Sequence, residues 1–190
     1  GNMYDAELID AHPKRAAVIL SNQRRGYDVR DFRVSIAIAP TKLNERTEWF
    51  LEKATEIGID EVKLFSSYHS ERRTVNLERF KKIVVSAMKQ SVKSKMPQLY
   101  EMVAFDKLVR QDFAGQKFIA WIDEDVNEQL CDLYKKGENA LVLIGPEGDF
   151  SKEEVALAKD NGFIPVSLGD ARLRTETAAV VACHTIQLIN

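Results

Sequence analysis

Two stretches decide the fold: Ala140-Leu-Val-Leu-Ile-Gly-Pro-Glu-Gly-Asp-Phe-Ser151 and Ser167-Leu-Gly-Asp-Ala-Arg-Leu-Arg-Thr-Glu-Thr-Ala178. Each reads as an apolar strand that runs into a glycine-containing loop and then a helix. Glycine lets the main chain approach a small molecule closely, so such a loop offers backbone N–H and C=O groups to a ligand. Two of them, one helix apart in the sequence, frame a single pocket. Ser151 and Glu154 have capping-box spacing for the helix between them, and Gly162 stops it.

Working outward, strands and helices alternate. Val34–Ala39, Glu61–Phe65, Lys117–Ile122, Leu141–Ile144 and Phe163–Ser167 read as strands. Leu141–Ile144 is apolar throughout, as a strand covered on both sheet faces must be. Helices are expected over Glu45–Ile57, ended by Gly58, over Leu77–Ser94, around Glu128–Tyr134, and over Thr175–Leu188 with Thr175 as its N-cap. Trp49 and Phe50 read as core. The pattern is an α/β domain over residues 34–190 with a mostly parallel sheet. Residues 1–33 differ: Met3–Ile9 and Arg15–Leu20 read as two strands, too few to close a core of their own.

Composition removes several classes. At 45% hydrophobic and 29% charged the chain is globular, not disordered. No apolar run reaches the roughly 20 residues of a membrane span, and no secretory signal is visible, so a cytoplasmic protein without a membrane partner is expected. Cys131 and Cys183 suggest neither a disulfide framework nor a metal site, and His12 and His69 lack ligand spacing. Net charge is −2, yet Glu71–Lys95 carries Arg72, Arg73, Arg79, Lys81, Lys82, Lys89, Lys93 and Lys95 against only Glu71 and Glu78. Such a run reads either as a solvated helix face or as a phosphate-contacting surface. No Gly-x-Gly-x-x-Gly follows the first strand, which argues against a Rossmann dinucleotide enzyme.

An ordered set of motifs then carries a resemblance. Lys53-Ala-Thr-Glu-Ile-Gly58, Ser70-Glu71-Arg72, Gln90-Ser91, Ile144-Gly-Pro-Glu-Gly148, Leu168-Gly169 and Leu173-Arg-Thr-Glu-Thr-Ala178 resemble, in order and in element type, the SPOUT class of S-adenosylmethionine (SAM) methyltransferases. They are most similar to the RsmE-type family that methylates N3 of a uridine in 16S rRNA. The chain departs from that pattern at Val92 and Lys93, where the family has Gly and Arg. It departs again at Asp149, where a second Gly is usual, and at Ala171, where Arg is usual and here follows as Arg172.

The resemblance implies a C-terminal trefoil knot, with residues 1–33 as part of a PUA-like β-barrel. It implies a homodimer acting on 16S rRNA within the small ribosomal subunit, with SAM as cofactor. Carried over residue by residue, the cofactor contacts are Leu143, Ile144, Gly145, Pro146, Glu147, Gly148, Leu168, Gly169, Leu173, Thr175 and Ala178. Arg72, Arg73, Lys89, Gln90 and Lys93 would meet RNA. N3 of uridine must lose a proton before it attacks, so Arg172 and Arg174 are the electrostatic candidates and Glu176 the candidate base. Plainer readings stand beside these: Glu176 complementing a helix dipole, and Arg174 pairing with Glu176 or Glu147. Another SPOUT target, in tRNA or elsewhere in rRNA, or a noncatalytic RNA-binding module, stays open as an alternative.

Overall fold

The computed structural model of the chain describes residues 1–123 and 126–190. Among the described residues, nine strands and six helices follow one another. These are β1 (Asn2–Asp10), β2 (Ala17–Arg25), β3 (Val34–Ile38), α1 (Asn44–Ile57), β4 (Glu61–Ser66), α2 (Leu77–Gln90), β5 (Gln98–Leu99) and β6 (Val103–Ala104). Then come α3 (Phe105–Val109), β7 (Gln116–Ala120), α4 (Leu130–Leu133), β8 (Ala140–Ile144), α5 (Lys152–Asp160), β9 (Ile164–Val166) and α6 (Thr175–Ile189).

Strands β3 to β9 form one sheet in the order β5-β4-β3-β8-β7-β9, with β6 extending β4, and every pair is parallel. Both faces are covered. Ile36, Ile38, Val62, Leu64, Val142 and Ile144 pack with Phe50, Leu51, Phe80, Val84, Ala179 and Ile186 of α1, α2 and α6. The alternate residues Ala37, Leu141 and Leu143 pack with Leu108, Val155 and Ala158 of α3 and α5. The two-residue period of the strands thus feeds two separate cores. Each fully buried Phe or Leu contributes on the order of 2 kcal/mol of apolar transfer.

Strand β8 lies between β3 and β7, and the chain passes beyond β7 to make β9 before α6 returns to pack on α1 and β3. At the N-terminal edge of the sheet, buried Asp60 accepts the Val34 N–H at 2.9 Å and pairs with Arg30 at 2.8 Å and Lys95 at 3.2 Å. These bonds fix how β3 and β4 begin.

Several elements differ from expectation. Helix α2 stops at Gln90, not Ser94: Ser91 leaves helical geometry, and Val92 has φ 55°, a left-handed conformation that no helix continues through. Arg174, not Thr175, is the N-cap of α6, and it makes no side-chain capping bond; Thr175 is already in the first turn and is buried. Phe50 is core, but Trp49 is 43% exposed on the outer side of α1. Strands β5 and β6 and helix α3, too short to give a periodic signal, escaped the sequence.

The first two strands pair antiparallel as a hairpin that lies outside the parallel sheet. Leu8, Ile9, Val18, Ile19 and Leu20 are all exposed on it. It is held at its base by Tyr27 N–H to Gly1 O and by the Ser94 hydroxyl donating to Tyr27 O. Among the described residues, no helix is long and apolar enough to cross a membrane.

Candidate cofactor and RNA site

A cavity of about 440 Å³ opens at the C-terminal ends of β7, β8 and β9. Its walls are the loop after β7 (Trp121–Asp123), the loop after β8 (Gly145–Asp149) and the loop after β9 (Ser167–Arg174). In parallel α/β sheets this is the edge at which ligands bind, and small-molecule sites span roughly 300–1,000 Å³.

The loop after β8 is held from three directions. Glu147 Oε1 accepts the Lys42 N–H at 3.0 Å, which ties it to the loop after β3. Ser151 and Glu154 form the reciprocal capping box, and Glu154 Oε1 also accepts the Tyr68 N–H at 2.8 Å from the loop after β4. Phe150 is buried against Phe65 and Phe105, with ring centroids 6.0 and 5.4 Å away.

The glycines of this loop serve close approach, not unusual torsion. A Cβ on Gly145 would stand 3.1 Å from the Phe150 ring, and one on Gly148 would stand 2.9 Å from His69 Cβ. The left-handed residue is Asp149, at φ 60°. Its carboxylate accepts the Phe150 N–H at 2.8 Å, and its carbonyl lies 3.0 Å from His69 Nδ1. Burial pushes its carboxyl above the ordinary value of 3.8, against the pull of backbone N–H groups and of Arg172 and His69.

The loop after β9 starts from Ser167, whose N–H and C=O bond to Glu128 and to the Leu130 N–H. Its hydroxyl and Gly169 exchange short-range bonds, and Gly169 has φ 109°. Leu168, Gly169, Leu173, Thr175 and Ala178 line the cavity together with Ile144, Gly145, Pro146 and Glu147. The two loops read from sequence are therefore brought together. Leu143 lies within the sheet core, and Gly148 faces His69, so neither reaches the cavity.

Arg172 and Arg174 line the cavity and are exposed. Glu176 does not line it. Its side chain is buried, 3.8 Å from Arg46 of α1, and its Oε2 is buried without a hydrogen-bond partner. The expected pairing with Arg174 is replaced by this contact to a residue far away in sequence. The same helix carries Cys183, whose fully buried thiol is pushed up to about 12 by desolvation, while His184 faces outward; the two do not form a dyad. Cys131, on α4, is exposed.

The basic run is divided. Arg72 donates to the carbonyls of Thr41 (3.1 Å) and Lys42 (2.6 Å), beside the cavity edge. Arg79 pairs with Glu48, Lys81 with Glu78 and Lys95 with Asp60. Arg73, Lys82, Lys89 and Lys93 hold no ion pair within 4 Å among the described residues. Gln90 is exposed beside Lys89 at the far end of α2, about 20 Å from the Arg72 end at 1.5 Å per residue. Among the described residues no cluster of side chains is suited to a metal.

The loop after β7 went unnoticed in the sequence, because its place on the cavity depends on β7 lying between β8 and β9. The strand-end rule for parallel sheets is the signal that would have found it.

This fold and site define a class. The RNA methyltransferase domain family matches residues 29–187, and the chain belongs to that family. It is similar to ribosomal RNA small subunit methyltransferase E of Mycobacterium bovis, 30% identical over 156 residues that take in 77% of this chain and 60% of that protein. The corresponding Bacillus subtilis protein is 28% identical over 160 residues, 75% of this chain and 60% of that protein. The chain thus spans about 60% of the length of these curated relatives.

Among solved structures, one described as a probable rRNA-methyltransferase from Porphyromonas gingivalis has 46% identity and a TM-score of 0.90, covering 99% of this chain and 82% of that one. A Legionella pneumophila protein described as a methyltransferase, solved with bound SAM, has 26% identity and a TM-score of 0.87, covering 98% of this chain and 78% of that one.

Proposed function

We propose that this chain binds SAM in the cavity at the ends of β7, β8 and β9 and is the catalytic part of an enzyme that methylates N3 of a uridine in 16S rRNA of the small ribosomal subunit. The observation that carries this reading is the convergence of the two motif-bearing loops on one cavity. The charge of the cavity supports it. Four carboxylates (Asp123, Glu147, Asp149 and Asp170) and two guanidinium groups (Arg172 and Arg174) line it among the described residues. That balance suits a cationic cofactor better than the phosphates of a dinucleotide or of ATP.

Bound SAM supplies an electrophilic methyl group. The backbone of Ile144–Glu147 and of Leu168–Leu173, with Thr175 and Ala178, forms the wall that would hold it. Arg172 and Arg174, exposed and lining the cavity, would stabilise the negative charge that a uracil ring gains as N3 loses its proton. Glu176 suits the task of positioning Arg46 between α1 and α6 better than that of accepting a proton, since it lies off the cavity. A base in folded RNA must leave its stack to enter such a pocket.

RNA binding would use Arg73 before α2, Lys89 and Gln90 at its last turn, and Lys93 just beyond it. The hairpin β1–β2 would continue that surface as part of a PUA-like barrel, residues 1–33 forming one unit and 34–190 the SPOUT unit. The return of α6 from beyond β7 to the α1 side fits a chain path that closes a trefoil knot. A homodimer, by resemblance to the class, would use the outer side of α1, where Leu43 and Trp49 are exposed. Such an enzyme would work in the cytoplasm, where ribosomes are assembled.

Calorimetric titration with SAM and S-adenosylhomocysteine tests the first step, with one site per chain expected. No binding by the folded chain would overturn it. Mass spectrometry of 16S rRNA for 3-methyluridine, from cells with and without the gene, tests the second.

A further inference from the structure

We infer that Asp149 is a cofactor-contacting residue, its carboxylate receiving positive charge from SAM; this rests on the reading of the cavity as the SAM site. Three observations on the structure lead there. First, Asp149 holds φ 60°, the one left-handed position in the loop Gly145–Phe150. Glycine takes that conformation freely, whereas an L-residue with a Cβ costs on the order of 1 kcal/mol there, less for Asp than for most. A strained residue at a cavity wall points to a use for its side chain.

Second, the carboxylate is aimed. Oδ1 accepts the Phe150 N–H at 2.8 Å, Phe150 is locked in an aromatic cluster, and the Asp149 carbonyl is held by His69 Nδ1 at 3.0 Å. Both the backbone and the side chain are therefore set before any ligand arrives. Third, Asp149 lines the cavity and is half-buried, and the backbone N–H groups of Phe150 and Ile122, with Arg172 and His69 nearby, do not fully offset the burial of its carboxylate. A half-buried carboxylate whose burial outweighs its positive neighbours is stabilised further when another cation comes beside it.

SAM offers two cations, the sulfonium and the α-ammonium, and three probes separate them. SAM carries both, S-adenosylhomocysteine only the ammonium, and 5′-methylthioadenosine neither. Calorimetry on the full chain would compare the wild type with Asp149→Asn, which keeps the shape and tolerates the left-handed region, and with Asp149→Gly, which relieves it. Both variants should melt at or above the wild-type temperature, which separates a binding role from a purely structural one.

The expected result is a loss of tenfold or more in SAM affinity in both variants with 5′-methylthioadenosine unchanged. Loss of S-adenosylhomocysteine affinity in parallel assigns the ammonium; loss for SAM alone assigns the sulfonium. Unchanged SAM affinity, or an equal loss for all three probes, overturns the inference. A wild-type chain that binds none of them overturns the cofactor reading itself, and this inference with it.

Discussion

Glu147 Oε1 accepts the backbone N–H of Lys42 at 3.0 Å, joining the loop after β8 to the loop after β3. Lys42 in turn is gripped through its carbonyl by Arg72, and its amine pairs with Glu71 at 2.8 Å. Three loops at one edge of the sheet are thus linked through a residue pair that lines or borders the cavity. Glu147→Ala should loosen the cavity wall without touching either core. We expect roughly a tenfold loss of SAM affinity, in keeping with about 1.5 kcal/mol for one hydrogen bond to a charged group. An affinity equal to wild type, by calorimetry, would remove this link from the site.

Val92→Gly should stabilise the protein. A β-branched residue at φ 55° carries a left-handed penalty of about 1–2 kcal/mol, partly offset by the entropy that glycine loses on folding. A rise of about 2–4 °C in Tm is expected for a chain of this size and a net gain near 1 kcal/mol. Differential scanning calorimetry checks it; a lower Tm would show that the Val92 side chain makes contacts worth more than the strain.

Charge reversal at Lys89 and Lys93 together should weaken RNA binding and flatten the dependence of log K on log salt by about two phosphate contacts. SAM affinity should not change, since both lysines lie at the end of α2 remote from the cavity. Arg79→Ala is the internal control: its guanidinium is already bound to Glu48 and should affect the slope less. Equal slopes for wild type and the double reversal would make this end of α2 an ordinary solvated face.

Asp149 sets opposite pH trends for folding and binding. Its carboxyl is raised in the fold, chiefly by burial, so its contribution to stability is full below the ordinary value of 3.8 and is lost as pH rises through the raised value. A bound cation favours the ionised form, so SAM affinity should be full above that raised value and decline as pH falls through it. His69 and Arg172 also face this group and shift the window, so the measurement is the difference between wild type and Asp149→Asn. If the two pH profiles superimpose from pH 4 to 7, Asp149 does not govern either trend.

How much of this was legible beforehand follows from the range of each interaction. The capping box at Ser151 and Glu154, the stop at Gly58 and the apolar run of β8 are local, and sequence spacing determines them. The two loops that meet at the cavity were found for the same reason. The third wall was not, because the neighbours of β7 are set by sheet order. Glu176 and Arg46 meet across most of the chain, so the nearer Arg174 was the natural partner to expect. The split of the basic run was hidden by continuity in sequence: a loop, α2 and the segment after it carry the charges from the cavity edge to the hairpin end. Val92 and Asp149, where the resemblance leads one to expect glycine, both hold left-handed backbone, and only torsion angles reveal that.

The burial of Cys183 has a practical side. With its thiol shut inside the core and held up to about 12, it will not react with a maleimide while the chain is folded. Cys131 is open to solvent on α4, whose first N–H bonds to the carbonyl of Ser167 at the cavity rim. Burial and the neighbouring Asp132 push the Cys131 thiol up as well, so labelling calls for mildly alkaline buffer; the native chain is then a one-thiol protein, and a fluorophore attached at Cys131 would sit on the helix tied to Ser167 at the cavity rim, without any engineered cysteine.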